Sequence, residues 1–242
     1  SHNPAEYNGI KLARSGARPV GQDSGLVQIR ELAQQYLSDG VLQVAVDDRG
    51  TTSEQDTLAD YASYLRNLVD LSGIRPLKVV VDAGNGMAGH TVPAVLGTAA
   101  GLGELPLEIV ELYFELDGTF PNHEANPLEP ANLVDLQAAV VAHGADIGLA
   151  FDGDADRCFV IDERGQAVNP SAITALVALR EIAREKDAGR QATIIHYLIP
   201  SQVVPDLVHA AGAKTVRTRV GHSFIKEQMA QHEAIFGGEH SA

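Results

Sequence analysis

Short apolar, β-branched runs alternate with segments of helical periodicity from residue 78 to residue 236 of the 242-residue chain. The run Lys78-Val79-Val80-Val81-Asp82 is typical of a strand that is buried on both faces. Parallel strands need long crossover connections, and helices between the strands both supply these connections and cover the sheet. The sequence therefore predicts an α/β protein with parallel sheets sandwiched between helices.

Two rounds of this pattern are present, and they divide near residue 168, where Asn169-Pro170 provides an N-cap and a first helical turn. A helix after Ser24, a strand over 42–46 and a helix over 53–71 are predicted ahead of the first round. In the two rounds, strands are predicted over 78–82, 107–114, 146–151, 158–161, 192–196, 214–218 and 234–236, and helices over 87–96, 131–143, 169–185, 201–211 and 222–231.

The charge and composition of the chain argue against nucleic-acid-binding and membrane proteins. The formal net charge of −14 argues against nucleic-acid binding, which needs a basic surface. The sequence has neither a run of 18 apolar residues nor a signal-like start, so we expect no membrane association. The single cysteine, Cys158, fits a reducing cytosol, and its position in an apolar β-rich run predicts inert packing.

Three carboxylates alternate with small residues in Asp152-Gly153-Asp154-Ala155-Asp156-Arg157, between two apolar runs. In an extended backbone, residues i, i+2 and i+4 point the same way, which would bring the three carboxylates together. Such a cluster resists full ionisation unless a hard divalent cation binds to its oxygens, and Mg²⁺ is the cation that we expect. Arg157 adds a fixed positive charge that suits a phosphate oxygen.

Other interpretations of the glycine-rich and acidic motifs remain open at this level. Glu163 falls at the twelfth position of an EF-hand loop that starts at Asp152, but Arg157 occupies the sixth, where glycine is needed. A solvated acidic turn without metal is a further alternative. Gly84, Gly86 and Gly89 form a G-x-G-x-x-G pattern after a strand, which is a weak indication of dinucleotide binding.

Three further motifs carry residues that could react or bind. Ser1-His2-Asn3-Pro4 offers a nucleophile or phosphate carrier, although a disordered terminus is the plainer interpretation. The run 237–241, Gly-Gly-Glu-His-Ser, could present Glu239 and Ser241 to a polyol such as a sugar, or form a mobile surface turn. Gly221-His222 starts a helix after a strand, where backbone N–H groups could meet an anion.

In this order, S-H-N-P…Y-N-G-x-K, D-G-D-A-D-R and G-G-E-H-S-A resemble the motifs of the α-D-phosphohexomutases, most closely the bacterial phosphomannomutase/phosphoglucomutase group. Phe120-Pro121-Asn122-His123-Glu124-Ala125-Asn126-Pro127 is similar to another stretch of that family. The resemblance implies consecutive three-layer α/β/α domains with mixed, mostly parallel sheets. It places the end of domain I at 1–52, domain II at 53–168 and part of domain III at 169–242, with the fourth domain missing.

The resemblance also implies roles for individual residues. Ser1 would carry the transferable phosphate, His2 and Lys11 would handle protons beside it, and Arg157 would accompany the metal. The expected catalytic residues are Ser1, His2, Lys11 and Arg157; the expected substrate-binding residues are Gly221, His222, Glu239 and Ser241; and the expected Mg²⁺ ligands are Ser1, Asp152, Asp154 and Asp156.

The implied reaction is the interconversion of hexose 6-phosphate and hexose 1-phosphate, of mannose or glucose, through a phosphoserine and a 1,6-bisphosphate. We expect a cytoplasmic enzyme, and we expect the chain alone to turn over slowly, because the domain that holds much of the substrate's phosphate is missing. A lysine that the family pattern places near residues 196–199 is absent. The alternatives are a metal-dependent phosphatase that needs no phosphoserine and a non-catalytic Ca²⁺-binding module.

Overall fold

The computed structural model describes residues 6–7, 9–40, 50–198 and 201–239. The chain divides into two compact units, one of residues 8–56 and the other of residues 1–7 and 57–242. The smaller unit has an antiparallel pair, β1 (Ala13–Arg14) and β2 (Arg18–Pro19), and the helix α1 (Leu26–Asp39), which confirms the helix predicted after Ser24. The strand predicted over 42–46 lies outside the described residues.

The larger unit follows the predicted α/β order, with nearly every element within two residues of its expected limits. The helix predicted over 53–71 is shorter, because the polar residues before 58 have no core to pack against and Val69 is extended. No helix in the described ranges has the length and apolar character that crossing a bilayer requires. The elements are α2 (Leu58–Leu68), β3 (Leu77–Asp82), α3 (Ala88–Val95), β4 (Leu107–Leu112), α4 (Val134–His143), β5 (Ile147–Phe151), β6 (Cys158–Ile161), α5 (Pro170–Asp187), β7 (Thr193–His196), α6 (Val203–Ala210), β8 (Lys214–Arg217), α7 (His222–His232) and β9 (Phe236–Gly238).

The strands of the larger unit form two sheets. The first has the order β4-β3-β5-β6, in which β3 is parallel to both β4 and β5, whereas β6 is antiparallel to β5. The second has the order β8-β7-β9 and is parallel throughout. The prediction of mixed, mostly parallel sheets is therefore confirmed. Because parallel strands end at the same edge, the loops after β3, β4 and β5 lie along one edge of the first sheet.

Alternation along β3 distributes its side chains between two apolar layers. Val80 packs with Leu136 and Val140 of α4. Val79 and Val81 belong to the cluster that includes α3 on the opposite face. With a period of two, Asp82 continues the face of Val80 at the carboxyl end of the strand, where it is buried. The polar residue is thus placed at the edge of the sheet where the loops meet.

The second sheet has the same layered construction. Ile194 of β7 packs in one cluster with α5 and α6, and Ile195 packs with α7 on the other face. Gly237 and Gly238 lie within strand β9, which corrects the prediction that this pair forms a mobile turn. A Cβ on Gly237 would come within 2.4 Å of Ile225, and one on Gly238 within 2.3 Å of Thr174. The two glycines therefore permit close helix packing.

Candidate functional site

The acidic motif forms the loop between β5 and β6, whose last paired residues are Phe151 and Cys158. The loop is a turn: Ala155 has φ of 57°, and its N–H donates to the carbonyl of Asp152 at 3.0 Å. The backbone N–H groups of Asp156 and Arg157 both donate to Oδ1 of Asp152 at 3.1 Å. The predicted convergence of the carboxylates is confirmed, but an inward-curled turn produces it and not an extended strand.

The three carboxylates form a group that could hold a metal ion. One oxygen from each of Asp152, Asp154 and Asp156 lies within 4.8 Å of the others. Asp152 is completely buried, and its Oδ2 has no hydrogen-bond partner among the described residues. Buried polar atoms are rarely left in this state, and a hard cation with oxygen ligands would satisfy this atom. The residues present therefore fit a divalent metal.

The charges around Asp152 also favour a bound cation. Burial raises the pKa of the Asp152 carboxyl, the backbone N–H of Arg157 lowers it, and the charges of Asp154 and Asp156 raise it again. Arg157 offsets part of this repulsion, since its Nε lies 3.7 Å from carboxylate oxygens of both Asp152 and Asp156. A bound cation would favour the ionised form of the whole group. The Arg157 guanidinium lies beside the cluster, as predicted.

Cys158, which follows this loop, is a free cysteine whose surroundings disfavour the reactive thiolate. Burial raises the pKa of its thiol to about 12, so almost no thiolate forms at neutral pH. The prediction of inert packing is confirmed.

A neighbouring glycine-rich turn supports the acidic loop. The N–H of Met87 donates to the carbonyl of Gly153 at 3.0 Å. A Cβ on Gly86 would lie 2.7 Å from the same oxygen, and one on Gly89 would lie 2.1 Å from the carbonyl oxygen of Phe114. Gly84 has φ of 52°, in the left-handed region. Backbone packing therefore accounts for the G-x-G-x-x-G pattern, and dinucleotide binding is not needed to explain it.

The EF-hand interpretation does not fit the loop. An EF-hand loop is flanked by two helices, whereas residues 152–157 connect the antiparallel strands β5 and β6.

Beneath this turn lies a polar network that the sequence analysis did not assign to the site. Oδ2 of the buried Asp82 lies 3.0 Å from Nε2 of His123, and Oδ1 accepts the N–H of Gly84 at 2.9 Å. Asn122 donates its side-chain amide to Oδ1 of Asn85 at 2.8 Å. The available signals were an aspartate that ends an apolar strand and the polar stretch 120–127, but nothing local in the sequence joins them.

The second sheet brings two of the predicted sugar-facing turns together. The N–H of Gly221, at the start of α7, donates to Oε1 of Glu239 at 3.2 Å. Gly221 has φ of 124°, which a side chain would disfavour. Glu239 directly follows β9, so both residues lie at the carboxyl edge of this sheet. The side chain of His222, and Ser241 as a whole, lie outside the described residues.

The phosphate-carrying end of the predicted site is not tested by the structure. Ser1 and His2 lie outside the described residues. Lys11 belongs to the smaller unit, where it is exposed. At the position of the missing family lysine, β7 ends in a buried histidine, His196, whose pKa is lowered by burial. The roles of Ser1, His2 and Lys11 therefore stay predictions.

Comparison with known families gives two matches along the chain. Residues 59–165 match the model of the phosphoglucomutase/phosphomannomutase α/β/α domain II, and residues 169–242 match the model of domain III. A phosphomannomutase from Escherichia coli K12 is 42% identical over 242 residues, which are 100% of this chain and 51% of that protein. The chain thus spans about half the length of the curated relatives that it matches.

Solved structures show the same likeness. A phosphoglucomutase/phosphomannomutase family protein from Burkholderia thailandensis has a TM-score of 0.75 and 32% identity, with 89% of this chain and 44% of that chain covered. An N-acetylphosphoglucosamine mutase from Aspergillus fumigatus, solved with GlcNAc-6P and magnesium, has a TM-score of 0.52 and 16% identity over 79% of this chain and 40% of that one. The second likeness concerns the fold alone.

Proposed function

This chain belongs to the phosphoglucomutase/phosphomannomutase family, and from that premise we propose that it is part of a phosphohexomutase. The enzyme would interconvert hexose 6-phosphate and hexose 1-phosphate, with mannose or glucose as the sugar. One observation carries the proposal: the buried carboxylate of Asp152 has an oxygen with no hydrogen-bond donor in the described part of the chain, beside two further carboxylates and Arg157. This set of groups suits phosphoryl transfer, which depends on positioning and charge neutralisation.

We propose Mg²⁺ as the metal, held by Asp152, Asp154, Asp156 and an oxygen on Ser1. When bound, the ion would neutralise negative charge that develops on the transferring phosphoryl group. All the ligands are oxygens, which suits Mg²⁺ better than a softer metal. Arg157 would hold a phosphate oxygen next to the ion.

Ser1 would act as a phosphate carrier. In the first half-reaction, the bond between phosphorus and the serine Oγ breaks while a bond from phosphorus to a sugar hydroxyl oxygen forms, which gives a hexose 1,6-bisphosphate. The hydroxyl proton passes to a nearby base, and we assign this task to Lys11 or His2. After the bisphosphate turns over, Oγ of Ser1 takes back the other phosphate and the sugar oxygen regains a proton.

We propose that Gly221, His222, Glu239 and Ser241 bind the sugar. Glu239 accepts a hydrogen bond from Gly221, and this contact ties two turns that come from opposite edge strands of the second sheet. A carboxylate placed there can accept hydrogen bonds from sugar hydroxyls, and bidentate contacts of this kind give specificity.

The proposal also includes the limits of the domains and the location of the enzyme in the cell. We keep residues 1–52, 53–168 and 169–242 as the parts of domains I, II and III, and the cytoplasm as the site of action. Because its relatives are about twice as long, we expect the 242 residues alone to turn over slowly. Remote binding energy that orients a substrate would then be missing.

The test uses mass spectrometry and an activity assay together. We expect a phosphate on the peptide that contains Ser1, and mutase activity on mannose 1-phosphate or glucose 1-phosphate in a full-length protein that contains this chain. Ser1→Ala should abolish both signals. Metal-dependent phosphatase activity that survives in Ser1→Ala would refute the mutase proposal, and so would tight Ca²⁺ binding together with indifference to Mg²⁺.

A further inference from the structure

The acidic loop rests on the turn formed by residues 84–87. The carbonyl of Gly153, between two of the carboxylates, accepts the N–H of Met87 at 3.0 Å. Gly86 packs its backbone directly on Gly153. Gly153 separates Asp152 from Asp154, so this turn supports the peptide that links the two carboxylates.

Asn85 fixes this turn by four hydrogen bonds to one segment. Its N–H donates to the carbonyl of Tyr113 at 2.8 Å, and its carbonyl accepts the N–H of Asp117 at 3.0 Å. Its side-chain amide donates to the carbonyl of Glu115 at 2.8 Å, while Oδ1 accepts from Asn122 at 2.8 Å. Asn85 has φ of 56°, a conformation that asparagine tolerates better than most residues.

Asp82 and His123 hold the other side of the same turn. Oδ1 of Asp82 accepts the N–H of Gly84, and Oδ2 faces Nε2 of His123. Nδ1 of His123 lies 2.9 Å from the carbonyl oxygen of Glu124. A carbonyl oxygen can only accept a hydrogen bond, so Nδ1 carries the proton. With a carboxylate at Nε2 as well, the ring is arranged to donate from both nitrogens. The Tyr113 ring meets His123 edge-on, at 5.3 Å between centroids.

We propose that Asn85 and the Asp82–His123 pair are positioning residues, which act through the 84–87 turn to keep the carboxylates of the 152–156 loop assembled for the cation. This inference rests on the proposed function, in which that loop binds the metal. Groups that orient metal ligands without touching the metal commonly change its affinity by about 10- to 100-fold. These residues would preorganise the site, so a change in them should weaken metal binding in a chain that is still folded.

The experiment measures Mn²⁺ binding by electron paramagnetic resonance at 10 °C, with the 242-residue chain. We expect the dissociation constant of His123→Ala to rise by about 10-fold. Added imidazole should restore much of the affinity, because it can occupy the vacated space and donate to Asp82. The matched control is His90→Ala, which alters an exposed histidine of the same domain and should bind as the wild type does.

Circular dichroism at the same temperature shows whether each variant is folded. If His123→Ala does not fold, Asn85→Gly serves instead, since glycine keeps the left-handed backbone and removes only the side-chain bonds. A folded His123→Ala or Asn85→Gly that binds Mn²⁺ within 2-fold of the wild type would overturn the inference.

Mn²⁺ binding by Asp152→Asn separates loss of the metal site itself from loss of the support that Asn85, Asp82 and His123 give to it. If the wild type binds Mn²⁺ and Asp152→Asn does not, the metal site stands, and the positioning variants alone decide the inference. If the wild type and Asp152→Asn bind equally or not at all, the metal site is refuted and the inference falls with it.

Discussion

The two sheets of the larger unit present their loops in different ways. At the first sheet, the acidic loop rests on a turn that buried Asp82 and Asn85 and partly buried His123 hold in place through side-chain hydrogen bonds. At the second sheet, a bond between Gly221 and Glu239 joins two turns above tightly packed glycines. The acidic loop, which is the proposed metal site, is therefore held through polar side chains of a neighbouring turn, whereas the two turns proposed to bind the sugar are held to each other.

The largest effect should come from Asp152→Asn, which tests whether the first loop is a metal site. Loss of one charged ligand should weaken Mn²⁺ binding by more than the about 10- to 100-fold that is typical when a group that only orients the ligands is lost, as measured by electron paramagnetic resonance. In the wild type, saturating Mg²⁺ should raise the melting temperature, because the ion binds the folded state. Asp156→Asn, which alters a more exposed ligand, is the matched comparison and should lose less affinity.

Without metal, the same variant should be more stable than the wild type. Burial raises the pKa of Asp152 in the folded state, so its ionised form destabilises the fold once the pH exceeds the unfolded value near 4. At pH 7.5 in EDTA, we expect Asp152→Asn to gain about 1 kcal/mol in urea unfolding. The gain should shrink as the pH falls, since the wild-type carboxyl becomes neutral; a gain independent of pH would contradict this account.

Gly86→Ala and Gly238→Ala compare how the two sheets tolerate a methyl group. At Gly86 the new Cβ meets a backbone oxygen that cannot turn away, and we expect a loss of about 3 kcal/mol in unfolding free energy. At Gly238 it meets the Thr174 side chain, and the loss should be nearer about 2 kcal/mol. The control is Gly103→Ala, which has open space around it and should change stability by less than about 0.5 kcal/mol.

Stability should also depend on pH through His123. The hydrogen bond to Asp82 raises the pKa of His123, the bond to Glu124 and the charge of Asp135 raise it further, and burial opposes them. Tyr113, which packs against the ring, stays neutral because its pKa is raised to about 12 by its hydrogen bond to Asp135. The protonated form of His123 therefore stabilises the fold.

A folded pKa above the unfolded value gives stability that is complete below about pH 6.5 and lost as the pH rises through the folded value. Relative to His123→Asn, the wild type should be about 1–2 kcal/mol more stable at pH 5.5, with a smaller difference at pH 9. Urea unfolding at both pH values measures this difference, and an equal difference at the two would exclude a charged pair.

The smallest effect should follow Glu239→Gln. The amide oxygen can still accept from Gly221, so stability should change by less than about 0.5 kcal/mol. In a full-length protein that contains this chain, KM for hexose phosphates should rise by about 5-fold, because a neutral acceptor binds hydroxyls less strongly. An unchanged KM would remove Glu239 from the proposed sugar contacts.

The fold was largely predictable because local apolar periodicity determined the strands and helices. The strand over 77–82 and the helix from Pro170 follow directly from a buried apolar run and an N-cap. The carboxylate group was predictable because its three aspartates lie within five consecutive residues. The internal geometry of that loop was not, since alanine rarely adopts the left-handed conformation that Ala155 has, and its residue type does not indicate a turn there.

Contacts between residues that are far apart in the chain could not be predicted from local sequence patterns. Asp82 and His123 are 41 residues apart, and Gly86 meets Gly153 only after β3 and β5 pair in the sheet. The glycines at 237–238 suggested a turn because their small size was interpreted as local flexibility. Their role emerges only when α5 and α7 pack against β9.

The contact between Gly86 and Gly153 has a consequence for how this protein can change. Both partners are main-chain atoms, so no neighbouring side chain can be trimmed to make room. A suppressor screen against Gly86→Ala should then recover reversions and not compensating substitutions, because making space would require moving the ligand loop itself. We therefore expect that neither Gly86 nor the backbone of Gly153 can change without moving the acidic loop.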